Sequence, residues 1–384
     1  MMKIVIAPDS FKESLSAVEV AQAIARGAMQ AVPKLECILR PMADGGEGTV
    51  DALLASSPGG QRRCGTVRGA YGEDQDACWG WLGDGRAVVE VAAAAGLAHT
   101  PPAHRNPLVA TTFGVGEQIL AAMDAGARHL ILGLGGSATN DAGAGMLQAL
   151  GARLLDDKGQ ELPGGGAALA RLHTLDLSCL DPRLADTAFT VACDVDNVLC
   201  GPQGASAVFS PQKGATPDDV SLLDAALSHF ADVCRQTLGR DARYLPGAGA
   251  AGGMGFAALA FLDAVFRPGV ELVATSSGLR EAIQGADLVI TGEGRLDAQT
   301  LHGKTPAGVA RLAKTLGVPV VVLAGSLGPD YQALYAQGVS AAFSLAPGPI
   351  ELAHAKQHAA ELLAERACDI VRLWHLAAER RIVD

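Results

Sequence analysis

Short apolar runs that pass through polar or glycine-rich loops into amphipathic stretches recur along this chain. Lys3 to Ala7 is the first such run, and the helical period after it opens at Ser16, with Glu19 completing a capping box. A second strand is predicted over Cys37 to Arg40, leading into the loop Pro41 to Thr49 and a helix to Ala55. From Gln61 to Val91 the period shortens to alternation, broken at Gly69 to Gly72 and Gly83 to Gly85, which predicts an antiparallel meander. Helical periodicity returns over Phe113 to Ala125, then comes a strand at His129 to Leu132, the loop Gly133 to Asp141, and a helix to Leu150. A Gly- and Pro-rich stretch, Asp156 to Pro182, precedes a strand at Ala188 to Cys193 and a helix over Asp218 to Leu238. The glycine tract Gly247 to Gly255 runs into an apolar helix ending near Ala264. The last part alternates: strand Asp287 to Thr291, helix Pro306 to Leu316, strands Val318 to Ala324 and Ala341 to Leu345, and a helix from Ile350 to Ala378.

Strands alternating with helices predict parallel sheets with right-handed crossovers, an α/β fold. The opening and closing parts share the strand-loop-helix texture. They are therefore expected to form one discontinuous Rossmann-like domain, residues 1–60 with 285–384, and residues 61–284 a second α/β domain inserted in it. Aromatic residues are only 4% of the chain against 49% apolar overall, so the core is packed from aliphatic side chains, as in buried parallel sheets.

A net charge of -11 opposes an electrostatic grip on nucleic acid or an anionic membrane. No apolar run is long enough to span a bilayer, and no signal-peptide pattern is present at the start. The eight cysteines show neither C-x-x-C nor zinc-ligand spacing and are read as small buried hydrophobes in a reducing compartment, which places the protein in the cytoplasm.

Four segments carry carboxylates, amides or hydroxyls where a strand runs out into a loop: Asp9 to Lys12, Asp44 to Glu47, Asp194 to Asn197, and Gly292 to Asp297. Ligands of open parallel sheets bind beyond the carboxyl ends of strands, so these loops predict a metal and a polar substrate. Gly133 to Asp141 is the best phosphate cradle, with Gly135 and Gly136 admitting an anion and Ser137 and Thr139 adding hydroxyl donors, while Asn140 and Asp141 crowd the helix start against a second anion unless a divalent cation intervenes. The same segment matches G-x-G-x-x-A, and Asp156 lies at a suitable distance for a ribose, which keeps open an NAD-dependent oxidoreductase acting on a small hydroxy acid. Gly247 to Gly252 satisfies G-x-G-x-x-G without a preceding strand and is read as a close-packed or flexible loop. His302 to Thr305 resembles the end of a Walker A sequence, but Ala298 stands where the first glycine is required. What remains there is Thr305 as a helix cap, Pro306 at the first helical position, and Lys304 beside the positive helix end. Lys12, Arg68, Lys213, Arg295 and Lys304 are the cations in or near glycine-rich loops. H-E-x-x-H and G-x-S-x-G are absent. Together these parts fit Mg2+-dependent phosphoryl transfer.

Six motifs in order, Ala7 to Ala17, Pro41 to Thr49, Gly133 to Met146, Ala192 to Ala205, Gly247 to Phe256 and Thr291 to Pro306, resemble those of the type I glycerate kinases. The resemblance implies transfer of a phosphoryl group from ATP to the 2-hydroxyl of glycerate, and a two-domain architecture with the active site in the interdomain cleft. On the chemistry of the residues, Asp194 is expected to orient or deprotonate the acceptor hydroxyl, with Asp196 and Asn197 beside it. Asp44, Glu293 and Asp297 are the expected Mg2+ ligands. Lys12 and Lys304 would neutralise the migrating phosphoryl group or the glycerate carboxylate, Arg68 or Arg295 would clamp that carboxylate, and Ser10 would contact substrate. Ser137, Thr139 and Asn140 would hold the nucleotide phosphates. A non-catalytic sensor of a phosphorylated metabolite is the third possibility, and oligomeric state is not addressed by the sequence.

Overall fold

The computed structural model describes residues 2–301 and 304–381, so His302 and Gly303 of the Walker-like segment lie outside the described residues. In chain order the strands are β1 (Lys3–Ile6), β2 (Glu36–Leu39), β3 (Gln61–Arg68), β4 (Asp74–Gly83), β5 (Arg86–Glu90), β6 (His129–Gly133) and β7 (Arg153–Leu155). They continue with β8 (Thr174–Asp176), β9 (Ala188–Ala192), β10 (Val265–Arg267), β11 (Leu288–Leu296), β12 (Val320–Leu327) and β13 (Val339–Ser344). The chain divides into two compact units. The first comprises Met1–Asp44, Asp51–Pro58 and Val270–Asp384, the second Gly45–Val50 and Gly59–Gly269.

The first unit is a wholly parallel sheet in the order β13-β12-β11-β1-β2. Ile4, Ile6, Leu288, Ile290 and Leu323 project from it into a core shared with Val20 and Ile24 of helix Ala17–Ala31 and Leu363, Ala367 and Val371 of helix Ala359–Arg381. Ser16 caps the first of these helices in a complete capping box with Glu19. The two helices meet closely at Gly27, where an added Cβ would lie 1.9 Å from the Ala364 carbonyl oxygen. Gly27→Ala must force the helices apart, and we expect it to cost about 1–3 kcal/mol, read as a lower urea midpoint at unchanged slope. An unchanged midpoint would show that the helices are not packed at this spacing.

The second unit holds the sheet β10-β9-β6-β5-β4-β3, parallel from β10 to β5 and antiparallel through the β5-β4-β3 meander, with β7 and β8 as a separate antiparallel pair. Its core is aliphatic apart from a few rings such as Phe230 and Phe256, which meet edge to face at 5.8 Å. One reading of the cysteines needs correction. Cys64 and Cys78 stand opposite each other in the β3-β4 register and are joined as a disulfide. Only Cys234 of the other cysteines is fully buried, and Cys179 is exposed.

Candidate active site

In the first unit β1 and β11 are neighbours, yet β1 is followed by a helix that crosses to β2 on one side and β11 by helix Thr305–Thr315, which crosses to β12 on the other. The carboxyl ends of this strand pair are the topological switch point of the sheet, the usual ligand crevice of open α/β folds. Asp9 leaves β1 there and its amide donates to the Gly292 carbonyl of β11 at 2.8 Å, which ties it beside Glu293. Asp9 Oδ2 accepts from the Thr305 hydroxyl at 2.6 Å and Oδ1 from the Ser10 amide at 2.6 Å. Thr305 thus bonds Asp9 rather than capping its own helix, and Lys304 occupies the position before that helix, with proline in its first turn. Glu293 accepts from the Thr300 hydroxyl and has Lys304 Nζ at 3.7 Å.

Burial pushes the Asp9 carboxyl up to about 6, aided by the like charge of Asp44 and resisted by Thr305, Ser10 and Lys12. Burial likewise pushes Glu293 up to about 7, with Thr300 and Lys304 opposing and Asp9 and Asp297 adding to the rise. Asp297 is paired with the exposed Arg295, whose Nε lies 3.1 Å from Oδ2. Ser10, Lys12 and Asp44 therefore act on Asp9, which is linked through Glu293 to Lys304 and Asp297 and through Asp297 to Arg295. Among the described residues no set of three or more His, Cys, Asp or Glu side chains has the arrangement of a preformed metal cage. A Mg2+ site needs only one or two carboxylates with water, and the mutually repelling, desolvated carboxyls here suit a divalent cation.

In the second unit Glu90, Gly133, Ala192 and Arg267 stand in register at the carboxyl edge of β5, β6, β9 and β10. The loop Gly133 to Asp141 and the segment Asp194 to Asn197 leave from this edge. Gly135, Gly136, Ser137, Thr139 and Asn140 lie in that single loop, and Ser137, Thr139 and Asn140 are buried. Gly252, at φ +67°, packs its backbone against the loop, since a Cβ there would lie 1.9 Å from the Thr139 carbonyl oxygen. The glycine tract is thus a close-packed support. Asp194 Oδ1 accepts from the Gly269 amide at 3.0 Å, at the start of helix Gly269–Ser276. Asp196 is exposed, and Asn197 Nδ2 donates to the Gln203 carbonyl at 2.9 Å. Arg68 ends β3. Its guanidinium lies 3.9 Å from the Phe113 ring centroid, in a cavity of about 580 Å3 that also touches Tyr71, Thr111, Gln148 and Glu161.

The geometry gives the dinucleotide reading little to stand on. Asp156 accepts from the Lys158 and Gln160 amides, both at 2.9 Å, and so builds a turn rather than reaching for a ribose. The helix after the glycine loop covers only Ala144–Ala149 and begins after a left-handed Gly143, unlike the long helix that a pyrophosphate-binding turn opens directly.

Residues 4–375 match the glycerate kinase family model. The chain belongs to the glycerate kinase family. It is 52% identical over 377 residues to "Glycerate kinase" of Bacillus subtilis (strain 168), covering 98% of each chain. It is also 52% identical over 345 residues to "Glycerate 2-kinase" of Escherichia coli (strain K12), covering 90% of each. A crystal structure of a protein from Salmonella typhimurium LT2, provisionally named glycerate kinase 2, superimposes with a TM-score of 0.89 at 47% identity, covering 98% of this chain and 99% of that one. The α/β fold with mostly parallel sheets and an enzyme of the glycerate kinase type follow from these matches. Among the described residues no helix is long and apolar enough to cross a membrane.

Three further residues stand out in this chain once burial and partners are visible. Asp9 lies in a loop that the sequence singled out, but its selection over Ser10 and Lys12 depends on Thr305, far along the chain. Glu90 ends β5 as a buried carboxylate, raised chiefly by burial, whose Oε1 accepts from the Val50 amide at 2.6 Å and so anchors the Gly45–Val50 loop. Lys213 is the third. Burial pushes its ammonium down to about 7 against the opposing pull of Asp141, and that carboxylate is itself raised by burial while four donors from Thr112, Gly143 and Gly145 work the other way.

Proposed function

We propose that this chain transfers the terminal phosphoryl group of ATP to the 2-hydroxyl of glycerate with Mg2+ assistance. The observation that carries this reading is the cluster of Asp9, Glu293, Lys304 and Lys12 at the switch point of a parallel sheet in a chain of this family. The name of the Escherichia coli relative supports the 2-position. One or two of Asp44, Glu293 and Asp297, with Asp9 beside Glu293 and water completing the shell, would hold Mg2+, which when bound supplies Lewis-acid compensation of phosphate charge.

The remaining roles follow from chemistry. Lys12 and Lys304 offset the negative charge of the migrating group or of the glycerate carboxylate, and Ser10 and Arg295 bind substrate polar groups. Ser137, Thr139 and Asn140, on Gly135 and Gly136, hold the nucleotide phosphates. Asp194, flanked by Asp196 and Asn197, orients the acceptor hydroxyl and takes its proton. Arg68, whose guanidinium lies over the Phe113 ring, is the other candidate to clamp the glycerate carboxylate. The test is ATP consumption with Mg2+ and each glycerate enantiomer, and absence of turnover with both would remove the proposal.

Metal binding also predicts a pH effect. Asp9 and Glu293 have folded-state values of about 6 and about 7, above their ordinary 3.8 and 4.5, so they bind protons more tightly folded than unfolded. The metal-free protein therefore loses stability as pH rises through that window, and Mg2+, which needs the ionised carboxylates, recovers it. Mg2+ should raise Tm more at pH 8 than at pH 6. Equal shifts at both pH values would count against these carboxylates as ligands.

A further inference from the structure

Lys213 ends the short turn Pro211–Lys213 and is 2% exposed. Its Nζ donates to Ser137 Oγ at 2.9 Å and to the Thr139 carbonyl at 2.7 Å, both in the Gly133 to Asp141 loop. The rest of that loop is tethered by other groups. The Ala138 amide donates to the Ala95 carbonyl at 2.8 Å and the Leu97 amide to the Gly136 carbonyl at 2.8 Å. Asn140 Nδ2 donates to Ser206 Oγ at 2.9 Å, and Asp141 accepts from the Thr112 amide and hydroxyl at 2.8 and 2.9 Å. Within this fixed loop Thr139 Oγ1 and Asn140 Oδ1 are buried and have no partner among the described residues.

A lysine is costly to bury, and a position that needed only volume would be filled more cheaply by Leu or Met. An ammonium offers three donors, of which two are spent on one loop. The two acceptors lie 76 and 74 residues away in sequence, so the contact is a tertiary device and not local turn chemistry. Thr139 Oγ1 and Asn140 Oδ1 add two buried polar atoms without a partner among the described residues to the same loop.

We propose that Lys213 is a positioning residue that holds the Ser137 hydroxyl and the Thr139 peptide in place so that the loop presents its polar groups to a phosphate of the nucleotide. This rests on the reading of the loop as the holder of the ATP phosphates. Lys213 acts through Ser137 and Thr139 and need not touch substrate itself.

The test uses the full-length chain with Lys213→Met, Ser137→Ala, the double variant and Lys213→Arg, with Tm, kcat and both KM values measured well below each Tm. Lys213→Met should raise KM for ATP about tenfold or more, the effect of losing a hydrogen bond to a charged group, with KM for glycerate unchanged. Ser137→Ala should raise it by less, and the double variant should be no worse than Lys213→Met alone, because the lysine works through the serine. Lys213→Arg keeps charge and donors and should recover part of the loss. A merely structural lysine would lower Tm and leave KM for ATP within about twofold of the parent in the folded protein, and that result, or effects that multiply in the double variant, overturns the proposal. If Lys213→Met fails to fold, Ser137→Ala decides, and a parental KM for ATP there is equally fatal. A rise confined to KM for glycerate instead overturns the nucleotide reading of the loop and leaves its tether by Lys213 standing.

Discussion

Glu293→Gln is expected to lower kcat/KM for glycerate phosphorylation by about 1,000-fold, the upper range for removing one preorganised electrostatic group from a reacting centre. The carboxamide keeps an oxygen that can accept from Thr300, so the local hydrogen bond survives. What disappears is the charge that faces Lys304 at 3.7 Å and that would face the metal. Tm should change little or rise. A carboxylate pushed up to about 7 by burial and by Asp9 and Asp297 strains the folded state at neutral pH, and an amide relieves it. Loss of activity with retained Tm is therefore the signature. A variant with parental kcat/KM would strip Glu293 of its role and leave the switch-point cluster a structural ion network.

Asp194→Asn is expected to reduce kcat by about 100- to 10,000-fold while changing KM for ATP little, the pattern of a lost general base. Asparagine retains a carbonyl oxygen for the Gly269 amide, so the start of helix Gly269–Ser276 keeps its anchor. The ability to take a proton from the acceptor hydroxyl does not survive. If activity falls only in step with Tm, Asp194 is a helix anchor and the base lies elsewhere.

The alternation of strands and helices was legible because buried parallel strands and amphipathic helices have different periods, and the boundaries of β1, β2, β6 and β9 fall within about two residues of those expected. Two kinds of element escaped. Gly292 to Leu296 looks like a loop from its glycines and charges, yet it continues β11 because β12 pairs with it through Glu293 opposite Ala324 and Arg295 opposite Ser326. Partner strands override local propensity at such a place. The three-residue β10, largely solvent-exposed, and the helices Gly269–Ser276 and Leu279–Ile283 are too short for a period to register. The C-terminal helix, read as one, is broken at His358 into Leu352–Gln357 and Ala359–Arg381.

The site divides along the same line. Acidic and glycine-rich loops after strands could be picked from composition, since turn chemistry is local. Asp9, Glu90 and Lys213 could not be ranked that way, because burial and partners distant in sequence select them. The Cys64–Cys78 pair is invisible for the same reason: a separation of 14 residues carries no message until β3 and β4 are paired.

The most direct measurement is 31P NMR of purified protein turning over ATP, Mg2+ and glycerate. Transfer to the 2-hydroxyl gives a monoester phosphorus coupled to one carbon-bound proton, a doublet in the proton-coupled spectrum, that accumulates as ADP forms and needs the divalent ion. A triplet, from a phosphate on the terminal CH2 group, would refute the proposed position. No new monoester with either enantiomer would refute the proposed reaction.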